Sequence, residues 1–121
     1  MKLIFGTLAA MVAELVERKV EAVRIAPLVQ SERGRATGVP YHTSWIVVTA
    51  ELGDHAWAEC RLWVGRGMGE IADGGTRLPE AIRERGEKLL AEVRSRIEAE
   101  GLRVLDGMVA HDAEAVDGGL E

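Results

Sequence analysis

The sequence predicts one α+β domain, a single mostly antiparallel sheet in the element order αβββαβ, and three features predict it. Two alternating runs between Trp45 and Arg66 read as a β-hairpin. An apolar stripe at helical spacing runs from Leu78 to Gly101 and marks a long second helix packed on one sheet face. Between Lys19 and Val23 the hydrophobic period drops from about 3.6 residues to two, which separates a first helix from a first strand.

The chain opens on MKLIFGTLAAMVA, a lysine followed by mostly apolar residues, which has some of the character of a weak secretory signal. Its periodicity favours a helix. Leu8, Met11, Val12, Leu15 and Val16 hold one face, and the pattern continues through Glu14, Glu17 and Arg18, where a signal has no need of it. Thr7 suits the N-cap and Lys19 the end. No stretch approaches the ~20 apolar residues of a membrane span.

Val23 and Ile25 alternate with Arg24 and Ala26 in a strand to about Gln30. Pro27 cannot donate to a ladder, so this strand belongs at a sheet edge or carries a bulge. Residues 31–44 lack periodicity and read as a loop or the frayed tip of a long hairpin; Arg33 and Arg35 around Gly34 make it a solvated tip rather than a phosphate finger.

In the central hairpin, Gly53-Asp54 fits a type II′ turn, which needs Gly at its first central position. That turn would pair Ala50 with Trp57, Val48 with Glu59 and Ile46 with Arg61 on one face. The other face would hold Trp45, Val47, Thr49, Ala58, Cys60, Leu62 and Val64, apolar throughout and therefore the core. The first face would then present Ile46, Val48, Trp57 and Trp63 beside Glu59 and Arg61, a candidate binding or interface surface.

GRGMGEIADGGT follows, with glycines at 65, 67, 69, 74 and 75. The spacing fits neither a dinucleotide fingerprint nor a P-loop, so it reads as a connector. Helix two begins at Leu78-Pro79 and stops at Gly101, with Ile82, Gly86, Leu89, Leu90, Val93 and Ile97 as its apolar stripe over about 33 Å. Gly86 on that stripe predicts close approach to the sheet. Leu102 to Ala110 reads as a last strand, bulged at Gly107. The domain thus covers residues 1–110, and 111–121 form a loose, dispensable acidic tail.

Four of the twenty acids lie in that tail, at 112, 114, 117 and 121, so residues 1–110 carry sixteen acids against fifteen bases. A near-neutral body gives no electrostatic reason to bind nucleic acid or an anionic membrane. One cysteine, Cys60, rules out an internal disulfide and points to the cytoplasm. His42, His55 and His111 are too scattered for a zinc site. No catalytic residue, metal or cofactor is expected.

The element order resembles two families. One is the acidic, dimeric chaperones of type III secretion, which begin helix, three strands, helix. The other is the tail-terminator and neck proteins of long-tailed phages, small α+β subunits that form rings, to which VPYHTSWIVV followed by a charged strand ending in Trp is similar. Neither supplies a motif that can be carried to a residue. The expectation is a non-enzymatic assembly module, a homo-oligomer (dimer or ring) or the binder of a protein client, whose contact face holds Trp57, Trp63, Ile46, Val48, Glu59 and Arg61. The competing expectation is a small-ligand binder or enzyme built on Trp57, Trp63, Glu59 and Arg61 with the glycine turn from Gly65 to Gly75.

Overall fold

A computed structural model describes residues 1–33, 40–68, 70–72 and 75–109. The elements are β1 (Lys2–Phe5), α1 (Leu8–Glu17), β2 (Ala22–Arg33), β3 (Pro40–Gly53), β4 (Ala56–Met68), the small strands β5 (Glu70–Ala72) and β6 (Gly75–Arg77), α2 (Glu80–Glu98) and β7 (Arg103–Asp106). Five strands form one sheet in the order β1-β4-β3-β2-β7, and β5 and β6 form a separate hairpin.

The fold is α+β, but the sheet is mixed rather than mostly antiparallel. The central β2–β3 and β3–β4 pairs are antiparallel, whereas β1 runs parallel to β4 and β7 parallel to β2. The extra strand accounts for much of this. Lys2 to Phe5, expected to lead into the first helix, pairs as an edge strand, with Leu3 and Phe5 half-buried and Lys2 and Ile4 outward. Parallel neighbours need a crossover, and helices are the usual means; α1 follows β1, and α2 precedes β7.

Thr7 caps α1 as expected, its Oγ1 accepting from the Ala10 N–H at 3.1 Å. The helix ends in a Schellman motif: Val20 N–H donates to the Leu15 carbonyl and Lys19 N–H to that of Val16, both at 3.0 Å. Lys19 therefore sits at φ 60°, where glycine is the residue that fits, at a cost of about 1 kcal/mol.

Both helices lie on the same side of the sheet. Leu8, Met11, Val12 and Leu15 of α1 share one core with Ile82, Val93 and Ile97 of α2, and with Val23, Ile25, Ile46, Val48, Ala50, Ala58, Cys60, Val64 and Val104. The described residues form two layers, and no described helix covers the other sheet face.

The hairpin register is one residue from that expected. Val48 pairs with Cys60, Ile46 with Leu62 and Ala50 with Ala58; Thr49 pairs with Glu59 and Val47 with Arg61. Gly53 pairs with Ala56, so Asp54 and His55 are the central turn residues, at φ 50° and 61° as a type I′ turn requires. The turn lies one position later than expected, which alone would shift the pairing by two, and the irregularity between Glu51 and Gly53 takes one of these back. A one-residue slip turns a whole strand over. Here it brings three apolar residues of β3 against three of β4, and it keeps Glu59 and Arg61 out of the core, where unpaired charge is costly.

The remaining expectations divide by element. Pro27 lies beyond Ile25, the last β2 residue paired with β7, where its missing N–H breaks no ladder. Of residues 31–44, the described ones are strand: β2 continues to Arg33 and β3 begins at Pro40, and 34–39, with Gly34 and Arg35, lie outside the described residues. The glycine connector is in part the end of β4, bulged so that Val64 and Gly65 face Ser44. Gly65 and Gly67 are the close-approach positions: a Cβ there would lie 2.9 Å from Arg85 Nη1 and from Ile82 Cδ1, respectively. At Gly86 a Cβ would meet only Val64 Cγ1, at an ordinary 3.6 Å. Gly86→Ala is accordingly expected to stabilise the protein by about 0.5–1 kcal/mol in urea unfolding, through helix propensity; a loss of stability would show that Val64 cannot accommodate the added methyl. The last strand stops at Asp106, where Gly107, at φ 104°, turns the chain off β7. Ala110, expected to end the last strand, and the tail 111–121 lie outside the described residues.

Candidate functional site

The face without helices holds four of the five aromatic residues. Trp45 pairs with Trp63, Trp57 with Glu51 and Lys2, and Tyr41 with Met68, while Phe5 is on the helix side. The Arg66 guanidinium stacks 5.3 Å from the Tyr41 ring centroid. Trp63 is 57% exposed and Ile4, beside Glu59, is 71% exposed. Val47 and Thr49, on β3 beside Arg61 and Glu59, form a buried floor on this face.

Glu59 is the centre of the site. Its side chain is 6% exposed, and both oxygens are engaged: Oε1 with Lys2 Nζ at 3.3 Å and Oε2 with Arg61 Nε at 2.8 Å. Each cation is itself about one-third exposed (35% and 37%), so the triad is a buried carboxylate reaching two half-solvated partners. At the neighbouring position Thr49 Oγ1 accepts from the Val109 N–H at 3.0 Å, which folds the segment after β7 onto this face.

Of the residues expected on the contact face, Trp57, Glu59, Arg61 and Trp63 do share it. Ile46 and Val48 do not. Each is 1% exposed on the helix side, and Trp45, Val47 and Thr49 occupy the face in their place, as the one-residue slip dictates. Lys2 and Ile4 were not foreseen, because four residues of alternation at the head of an apolar run carry no strand signature of their own. Gly65 and Gly67 belong to β4 with α2 over them, so they cradle no phosphate.

A second polar pair lies on the helix side of the long hairpin: Ser31 Oγ stands 2.6 Å from Nδ1 of the buried His42. Nε2 of His42 has no hydrogen-bond partner among the described residues, so the third group that would orient a catalytic histidine is missing from them. Cys60 is fully buried, and its burial, then the Glu59 carboxylate, push the thiol above its ordinary range and leave it a poor nucleophile. Among the described residues no cluster of His, Cys, Asp or Glu could hold a metal ion, and no helix is long and apolar enough to cross a membrane.

Comparison with protein-family models, with curated proteins and with solved structures found no match for this chain.

Proposed function

We propose that the chain is a non-enzymatic assembly module that associates with copies of itself through the open sheet face around Trp57, Glu59, Arg61 and Trp63. The observation that carries this reading is that α1 and α2 pack on the same side of the sheet, which leaves the tryptophan side without a helical layer among the described residues. On that side Trp63 and Ile4 are large apolar side chains left exposed in the single chain, at the edges of a buried floor. Tryptophan and arginine are also the residue types that anchor interfaces, and here both adjoin the buried Glu59 carboxylate, whose two cations give the triad a net positive charge that an acidic group across the contact would balance. The buried, unpaired Cys60 suits a reducing, cytoplasmic setting.

Trp63→Glu tests this. A carboxylate in a desolvated contact is strongly disfavoured, so the variant should keep its circular dichroism spectrum and sediment as a smaller species than the parent. Because Trp63 is exposed in the single chain, the change should leave the fold intact. A parent protein that already sediments at 13.1 kDa, or a variant of unchanged mass, removes the assembly reading.

A further inference from the structure

At the β2–β7 flank of the sheet lies a hollow of about 410 Å³ whose walls include Lys19, Arg24, Thr49, Glu51, Arg103 and Val109. We infer that it binds a compact oxyanion, a phosphate or a carboxylate, between Lys19, Arg24 and Arg103.

The charges support this. Arg24 donates from Nη1 to the Asp106 carbonyl at 2.8 Å, which orients its guanidinium and leaves the other N–H groups available. Lys19 and Arg103 form no ion pair among the described residues, whereas Arg18, also on the rim, is bound to Glu14. Arg103 pairs along the sheet with Ala22, whose methyl leaves room between the flanking long side chains. Guanidinium groups present parallel N–H donors that match the two oxygens of a carboxylate or phosphate.

Backbone conformation supplies an independent reason. The Schellman position at the end of α1 favours glycine, yet it carries Lys19 at φ 60° on the wall of this hollow. Backbone strain of this kind concentrates at sites of use. The acids that share the lining, Glu21 and Glu51, limit the ligand to one small anionic group and disfavour an extended polyanion.

The full chain would be titrated with sodium phosphate and, separately, with sodium acetate, at constant ionic strength, by calorimetry and by melting temperature. Saturable binding in one arm is expected, and that arm names the oxyanion. Arg103→Gln should weaken it about tenfold. Lys19→Gly should weaken it too, while raising the melting temperature of the unliganded protein because the strain is gone; the two readouts move in opposite directions, so weaker binding cannot be put down to misfolding. Responses that never saturate in either arm, or equal affinity in the parent and both variants, would mean general salt screening and overturn the inference.

Discussion

A chain carrying Lys2→Ala and Arg61→Ala together is expected to lose about 3–5 kcal/mol of stability in urea unfolding, because Glu59 would be left as a buried charge without a cation. Against a total stability of roughly 5–15 kcal/mol for a domain of this kind, that loss is large. Either single substitution leaves one cation on the carboxylate and should cost only about 1–2 kcal/mol, so the double variant should exceed the sum of the singles. Adding Glu59→Leu to the double variant removes the stranded charge and should restore most of the lost stability, since apolar replacement of an entire buried ionic group is often neutral. Simple additivity, or no rescue by leucine, would mean that water reaches Glu59 and that the triad is an ordinary surface pair.

The second large effect concerns α1. Leu15 is fully buried in the shared core, and Leu15→Ala should cost about 2–5 kcal/mol, the transfer term plus the cavity left behind. Val16, the next residue, is 46% exposed, so Val16→Ala should stay within about 0.5 kcal/mol. The contrast reads out which side of α1 meets the sheet. If the two substitutions cost the same, α1 is not docked by the face described, and the tryptophan side loses its claim to be uncovered.

Much of the local structure was legible. The i, i+3, i+4 spacing located α1 and placed Leu8, Met11, Val12 and Leu15 on its inner face, while Val16, expected on the same face, is turned to solvent; Thr7 marked the start. The stripe from Ile82 to Ile97 did the same for α2. Alternation in β4 correctly separated Ala58, Cys60, Leu62 and Val64 from Trp57, Glu59, Arg61 and Trp63. These patterns can be read because each is set within one element by the direction in which successive side chains point.

What the chain alone did not reveal is how the elements meet. The Gly53-Asp54 pair is a sound turn signal, yet the turn forms one residue later. Register is decided by the summed match of two whole strands, and Ile46, Val48 and Ala50 match Cys60 and its neighbours better than they match Glu59 and Arg61. Lys2 lies 57 residues from Glu59 in sequence, and only the parallel docking of β1 on β4 brings them together. Amphipathic periodicity shows that α1 has an apolar face but not which side of the sheet receives it. Composition, helix positions and strand alternation were therefore determined by sequence through local stereochemistry. Register, the mixed sheet and the single helical layer were decided by tertiary structure, because they depend on free energies shared between residues far apart in the chain.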